Sequence, residues 1–443
     1  MAAAHSFFSR DNRYPNRARL AAGLSILLLA RPVFALNPLA GDYSKDNLLD
    51  VRIVAYNTQG NFITDPAADP EFNRILIALR PDIICFEEIN TSLSSGTIAS
   101  RLNSIIPIGG AGWQIHLGKS GGTRNVLASR FPLSQTRIDT IPESSTRGVT
   151  IALADLPNAT HPVDVYLHGV HLKCCGNAGG SEDADRQRSA DAIANWLGDA
   201  RGAARPSGNN IVLPPNTPMI VLGDFNLVGG PQPENTLLTG NIIDNATFGT
   251  DVKGDWDVSD LTNLNPLDPF TGNNFTWQGS QSFPPSALDR FMVTDSAFTV
   301  ANKFILNTDA MTPSALAAAG LQAGDTLPQN SSDHLPIVMD LRVVDPCATD
   351  ADGDGTADCN DGCPNDPGRI VPGLCGCNVP ASVQGSGDVS RDSRIDAADI
   401  PALVNELLAP TAPSEAACAA DVDQNGAVDE SDIEPFIGLL VTQ

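Results

Sequence analysis

The stretch Met219-Ile220-Val221-Leu222-Gly223-Asp224-Phe225-Asn226-Leu227 constrains the fold more than any other part of the chain. Four apolar residues in succession make a run too short for a helix and suited to a buried strand. Gly223 breaks that run where the backbone turns. Asp224 and Asn226, two residues apart at the strand end, point to the same side. A carboxylate and an amide at the mouth of an apolar strand cost free energy unless something partners them. A hard cation or a phosphate oxygen would suit both. A strand-ending Asx turn is the plain alternative.

The same pattern, an apolar strand that ends in polar residues, recurs along the chain. A strand at 51–56 runs into Asn57, and a helix at 70–79 turns Phe72, Ile75, Leu76 and Leu79 to one face before Pro81. A strand at 82–86 leads into Glu87 and Glu88. A helix is predicted at 97–105, strands at 113–117, 125–129, 149–156 and 163–170, the last ending in His171. A helix over 183–199 carries Ala190, Ile193, Ala194 and Leu197 inward. Residues 228–287 read as irregular, a strand over 287–293 holds Asp289, and Asp333-His334 opens the last strand of this region, 335–344. Mixed strands and helices with polar strand ends fit an α/β fold: two packed sheets flanked by helices, with a site along one edge.

Charge divides the chain. Residues 1–47 hold 6 basic and 3 acidic side chains, residues 48–345 hold 18 and 31, and residues 346–443 hold 3 and 18, for a net charge of −25. A basic nucleic-acid-binding surface is excluded in bulk, so any polyanion must meet a local basic rim or bound cations. The N-terminus reads as an export signal over 1–35: four arginines, an apolar run from Leu20 to Ala30, and Val33-Phe34-Ala35 as the cleavage site. That run is too short to span a bilayer, and no other stretch is long enough, which makes the chain secreted, extracellular or held at the cell surface. Six of nine cysteines lie in the last hundred residues, which suggests disulfides in an exported module. Cys85 reads as a buried thiol. The adjacent Cys174 and Cys175 leave three readings open: a vicinal disulfide, bridges elsewhere, or no bond.

Glu88, His171, Asp224, Asn226, Asp289, Asp333 and His334 each sit in or beside an apolar strand. Singly each has a structural reading: Glu88 as a cap, Asp289 as the salt-bridge partner of Arg290. Together they supply what phosphodiester hydrolysis requires. A cation neutralises phosphate and leaving oxygen, a carboxylate-held histidine takes a proton from water, and amide and imidazole donors stabilise the transition state. In order, the segments IVAYNTQG, PDIICFEEIN, NVLASRFPL, VYLHGVHLK, IVLGDFN, FTWQG, ALDRFMV and SSDHLPIV resemble the endonuclease/exonuclease/phosphatase superfamily of pancreatic-type deoxyribonucleases, abasic-site endonucleases, bacterial sphingomyelinases and inositol-polyphosphate phosphatases.

The resemblance implies a four-layered α/β/β/α sandwich of two mixed sheets over 50–345, after a linker at 36–49. It implies a cation, Mg2+ or else Mn2+ or Ca2+, at Asn57 and Glu88, with Asp333 in the metal set. Asp224 and Asn226 would position water and phosphate, His171 would donate to phosphate, and Asp289 would orient His334, the expected general base, with Asp224 as the alternative base. Arg124 and Arg147 are candidate phosphate contacts. Glu87 stands where the family often has Gln, which would add charge. Ala287-Leu288 replace the Trp-Cys of inositol phosphatases, and Phe270, Phe275, Trp277 and Phe283 are scattered rather than set on one apolar hairpin. The reading is therefore an extracellular nuclease acting on DNA or RNA. A sphingomyelinase-like or other phosphoesterase, and a non-enzymatic adhesion or scaffold protein, are the alternatives.

The acidic C-terminus is periodic. Asp350, Asp352 and Asp354, followed by Asp358 and Asp361, place oxygens at alternate positions around a tight turn, as Ca2+ requires. With Cys359 and Cys363 this Cys-rich segment, 346–380, resembles a thrombospondin type 3 repeat. Asp388, Ser390, Asp392, Asp396 and Asp399 fit an EF-hand-type loop, and Asp421, Asp423, Asn425, Asp429 and Asp432 fit a second. Each loop leads into a short apolar helix. Loop plus helix, twice over 385–443, resembles a Ca2+-binding dockerin module, and a cohesin-type protein is the partner it implies. Ser393 stands where Gly is usual, which points to weaker binding in the first loop.

Overall fold

The computed structural model describes residues 36–60, 69–139, 148–203, 205–206 and 211–342, and in the C-terminal part 352–356, 363, 365–368, 370, 377, 382–408 and 414–442. The export signal expected at 1–35 lies outside these residues.

The strands, in chain order, are β1 (Val51–Asn57), β2 (Ile83–Asn90), β3 (Gln114–Leu117), β4 (Thr123–Ser129), β5 (Leu133–Asp139), β6 (Val149–Ala154), β7 (Val165–His171), β8 (Met219–Asp224), β9 (Thr262–Asn263), β10 (Asp289–Val293), β11 (Thr299–Ile305) and β12 (Ile337–Arg342). The helices are α1 (Pro70–Leu79), α2 (Ser95–Ile105), α3 (Ser181–Ala200), α4 (Gln232–Thr239), α5 (Asn245–Phe248), α6 (Pro313–Ala319), α7 (Asp399–Leu408), α8 (Glu415–Ala420) and α9 (Ile433–Val441). The strands form two six-stranded mixed sheets, ordered β11-β12-β1-β2-β4-β3 and β5-β6-β7-β8-β10-β9. β1 and β2 run parallel, as do β7 and β8, and both pairs sit inside their sheets with antiparallel neighbours.

Alternation along the inner strands divides their side chains between two layers. Ile53, Ala55, Ile83, Cys85, Leu127, Leu167, Ile220, Leu222 and Phe291 meet between the sheets. Val54, Tyr56, Ile84 and Phe86 face the other way, onto Phe72, Leu76, Leu79 and Leu102 of α1 and α2. Tyr166, Val170 and Val221 pack on Ala190, Ile193, Ala194 and Leu197 of α3, the face expected from sequence. The result is the four-layered sandwich. Each fully buried Ile, Leu or Phe contributes about 1.5–3 kcal/mol to holding it.

The observed elements extend the sequence reading. Residues 228–287 are not wholly irregular, since α4, α5 and β9 lie within them. Asp289 opens β10 rather than sitting inside it. Among the described residues no helix is long and apolar enough to cross a membrane.

Candidate active site

Strand parity builds the site. Asn57 follows Ala55 on the inter-sheet side of β1, and Asp224 follows Leu222 on that side of β8. Asp289 likewise precedes Phe291 on β10. His171 ends β7 in register with Asp224, and Asp289 pairs with Asp224 from the other side.

Glu88 arrives by a different device. Phe86 pairs with Val126 and Ile89 with Arg124, so Glu87 and Glu88 together stand opposite Asn125, and Glu88 has φ 60°. Such a bulge re-aims a side chain. Without it Glu88 would follow Ile84 and Phe86 toward the helices. With it, Glu88 Oε1 lies 3.8 Å from Nε2 of His171.

Asp224 is the centre of the cluster. Its Oδ2 accepts from Nδ2 of Asn57 at 3.1 Å and lies 3.3 Å from His171 Nε2 and 3.9 Å from His334 Nε2. Its Oδ1 accepts from the Asn226 backbone N–H at 3.1 Å, the Asx turn anticipated from sequence, and Asn226 Nδ2 donates to Leu172 O at 3.3 Å. Gly223 has φ 124°, and a Cβ there would meet Val170 O at 2.2 Å and Glu87 Oε1 at 2.5 Å. Only glycine lets the Glu87 carboxylate of one sheet lie this close to the β8 backbone of the other.

Asp289 holds His334. Its Oδ2 accepts from Nδ1 at 2.7 Å, leaving Nε2 toward Asp224. Burial alone would lower the imidazole's pKa, but the charge and hydrogen bond of Asp289, with Asp224 and Asp333 behind it, raise it to about 10. Arg290 pairs with Glu234 at 2.7 Å and not with Asp289, which removes the salt-bridge reading of that aspartate.

The positioning roles of three residues escaped the sequence reading. Thr276 Oγ1 accepts from the backbone N–H groups of Leu288 and Asp289, each at 2.9 Å. Ser332 Oγ donates to Asn57 O at 2.6 Å and accepts from His334 N–H at 3.1 Å, and its one sequence signal is its place beside Asp333-His334. Trp277 Nε1 donates to Asp333 Oδ2 at 2.9 Å. Asp333 therefore stands beside the cluster with its carboxylate on the indole. Glu87 is fully buried, and burial, reinforced by the charge of Asp289, pushes its carboxyl well above the usual carboxylate range. Arg124 donates to the carbonyl of Thr91, and Arg147 lies outside the described residues.

The donor set fits a hard divalent cation. Ligand atoms of Asp224, Asp289 and His334 lie within 4.8 Å of one another. Asp289 Oδ1 and Glu87 Oε2 are buried with no hydrogen-bond partner among the described residues. Carboxylate and amide oxygens are the ligands that Mg2+, Mn2+ and Ca2+ prefer.

The two C-terminal loops repeat one architecture. Asp388 Oδ2 accepts from Ser393 N at 2.9 Å, and Asp421 Oδ2 accepts from Gly426 N at 3.0 Å. Asp399 caps the N–H groups of Ser390 and Asp396 at 2.8 and 2.9 Å, and Asp432 caps those of Asp423 and Asp429 at 3.1 and 2.9 Å. Ser393 sits at φ 71° where Gly426 sits at 91°, so the first loop holds a non-glycine residue in the left-handed region. Asp421, Asp423 and Asp432 offer oxygens within 4.8 Å of one another, and Asp421 Oδ1 is buried with no hydrogen-bond partner among the described residues. Asp392 N–H donates to Asp388, and Asn425 Nδ2 to Asp423. Of the earlier turn, Asp352 and Asp354 accept from backbone N–H groups two residues on, at 3.2 and 2.7 Å, while Asp350, Asp358 and Asp361 lie outside the described residues. Cys363 and Cys377 form a disulfide and Cys418 is disulfide-bonded, as the cysteine distribution suggested.

No curated protein sequence matches this chain. Among solved structures, similar ones include D. rerio TDP2 in complex with a single-strand DNA product (12% identity, 66% of this chain and 99% of that one, TM-score 0.43). ANGEL2, a 2',3'-cyclic phosphatase, is another (14% identity, 66% and 95%, TM-score 0.44). A third is an endonuclease/exonuclease/phosphatase from Beutenbergia cavernae DSM 12333 (18% identity, 66% and 72%, TM-score 0.40). The dockerin type I domain model matches residues 386–439, and the Endonuclease/Exonuclease/phosphatase family model matches residues 54–334. The chain belongs to the endonuclease/exonuclease/phosphatase family of metal-dependent phosphoester hydrolases and carries a dockerin type I domain at its C-terminal end.

Proposed function

We propose that the protein is a secreted, divalent-metal-dependent phosphodiesterase that cleaves DNA or RNA. The observation that carries this reading is the convergence of Asn57, His171 and the Asp289-held His334 on one carboxylate oxygen of Asp224. Asn57 and Glu88 would hold the cation on the His171 side of Asp224, leaving Asp289 and His334 to the proton transfer, with Asp333 at the edge of the site on Trp277. When bound, the cation neutralises the phosphate and its leaving oxygen, and it offsets the carboxylates that keep a proton on His334. Asp289 fixes the proton of His334 at Nδ1, so Nε2 is the atom that takes a proton from the attacking water. Asp224 orients that water, and Asn57, Asn226 and His171 present donors to the phosphoryl oxygens.

Nucleic acid is favoured over lipid because the aromatic residues of the 228–287 region do not form a membrane-entering tip. Phe270 packs against the core under α1 and α2, Trp277 holds Asp333, and only Phe275 and Phe283 are exposed. The proposed division is a catalytic body over 50–345, a thrombospondin type 3-like segment over 346–380, and a Ca2+-loaded dockerin pair over 385–443 that docks to a cohesin-type protein outside the cell.

The mature protein is to be incubated with plasmid DNA, RNA and sphingomyelin liposomes, in Mg2+, Mn2+, Ca2+ or EDTA. Metal-dependent cleavage of nucleic acid, lost in EDTA and in His334→Ala, is expected. Cleavage of sphingomyelin alone would move the reading to lipid headgroups, and near-wild-type turnover by His334→Ala would refute the mechanism.

A further inference from the structure

We propose that Cys174 and Cys175 close on each other as a vicinal disulfide, a redox site that fixes the loop between His171 and α3. This goes beyond the hydrolytic reading and does not depend on which phosphoester is cut. The two thiols occupy adjacent residues with their sulfurs 2.8 Å apart. Forming a bond of about 2.05 Å therefore needs roughly an ångström of movement or less. Neighbouring side chains on extended backbone point apart, but Cys175 has φ 69°, and this left-handed turn brings its sulfur back to that of Cys174.

The backbone around the pair is held from below. Arg186 of α3, fully buried, donates through Nη1 to the carbonyls of Lys173 and Cys175, each at 2.8 Å. Its Nη2 reaches Asp183 Oδ1 at 3.1 Å, and Asp183 Oδ2 accepts from the N–H groups of Gly179 at 2.9 Å and Gly230 at 3.0 Å. One arginine–aspartate pair thus ties the cysteine loop to the loop that follows Asn226. Asn226 in turn donates to Leu172 O, two residues before Cys174. The cysteines lie in the segment whose position sets both His171 and Asn226.

The chemistry is available to this chain, because it forms disulfides at Cys363–Cys377 and at Cys418. A chain that matures where those bonds form meets thiol oxidants. Cys175 is exposed and Cys174 half-buried, so Cys175 reacts first. Its thiolate attacks a low-molecular-weight disulfide, RSSR, giving a mixed disulfide at Cys175 and one RS−. The thiolate of Cys174 then attacks Cys175 Sγ, closing the bond and expelling a second RS−. The two cysteine protons end on two RSH, and two electrons pass from the cysteine pair to the oxidant. The product is a ring through both side chains and the shared peptide bond, which removes backbone freedom at both residues.

The full chain is to be incubated with oxidised glutathione, treated with iodoacetamide and digested without reductant. The peptide holding both cysteines is expected to be unalkylated and two hydrogens lighter than its reduced form, and to take two alkyl groups only after reduction. Amide exchange over residues 172–179 is expected to be slower in oxidised than in reduced protein. That difference should vanish in C174S/C175S, which controls for opening of the C-terminal disulfides. Alkylation of both cysteines in the oxidised protein, or a bond from either to a third cysteine, would overturn the proposal. Equal exchange before and after reduction of the wild type would overturn the fixing of the loop.

Discussion

Asp224 and Asp289 stand opposite each other in the β8–β10 pairing, yet their contacts give them different work. Asp224 gathers amide and imidazole donors at the cleft, whereas Asp289 spends one oxygen on Nδ1 of His334. Replacing Asp289 by Asn keeps the volume but removes the charge that orients and stabilises the imidazole. Asp289→Asn is expected to lower kcat by roughly 10²–10⁴-fold with little change in KM, read by steady-state cleavage of whichever phosphodiester the cleavage assay selects. A variant within a few-fold of wild type would take Asp289 out of the proton transfer. At this scale the sequence was informative where a residue's place in the cluster is written in its own motif, as for Asp224, Asn226 and His334. It was silent where the role depends on a cross-strand neighbour. Thr276 matters through the backbone of Leu288 and Asp289, and Glu88 reaches the cleft beside the inward Glu87 only because a bulge re-aims it.

Among elements, the inner strands were legible because both their faces are apolar and their ends are polar. Of the four edge strands, β3 was read at 113–117, whereas β5, β9 and β11 were not. β5 and β11 carry mixed, largely part-exposed residues with no clean apolar face, and β9 has two residues. An edge strand is defined by the neighbour it pairs with more than by its own pattern. β7 carries one residue that breaks its own pattern. His168 faces the α3 layer, edge-on to Tyr166 at 4.7 Å, with both ring nitrogens buried and unpartnered among the described residues. Burial lowers its pKa from 6.5 to about 3. The folded chain thus holds His168 neutral, while the unfolded chain protonates it below pH 6.5. Stability is therefore lost as pH falls from 6.5 toward 3, at about 1.4 kcal/mol per pH unit from this group. His168→Leu should flatten that slope and be close to neutral at pH 8, because an unpartnered polar group is replaced by an apolar one. Denaturant titrations of both proteins across this pH range measure it, and parallel acid slopes would rule His168 out as the cause.

Across the whole molecule, charge sets a condition on any nucleic-acid substrate. The chain carries a net −25, spread over both the catalytic region and the acidic C-terminal part. An enzyme that grips DNA with many lysines and arginines loses affinity steeply as salt displaces the released counterions, with a log–log slope near −0.9 for each phosphate contact. Here the long-range term has the opposite sign, since an acidic body approaches a polyanion and the attraction is confined to the cation-bearing cleft. Monovalent salt screens the repulsion, and at about 0.15 M the screening length is about 8 Å, short enough to hide most of the acidic surface from the incoming strand. At fixed, saturating divalent ion, kcat/KM on DNA or RNA is expected to rise from low salt to about 0.15 M and to decline only beyond it. Dinucleotide-sized phosphodiesters, which carry a single negative charge and so feel little of the long-range field, should show a nearly flat profile over the same interval. A log–log slope of about −3 or steeper on DNA from the lowest salt upward would mean that several phosphates are neutralised by basic side chains. The substrate would then be held by a cationic surface and not by the cation-bearing cleft alone.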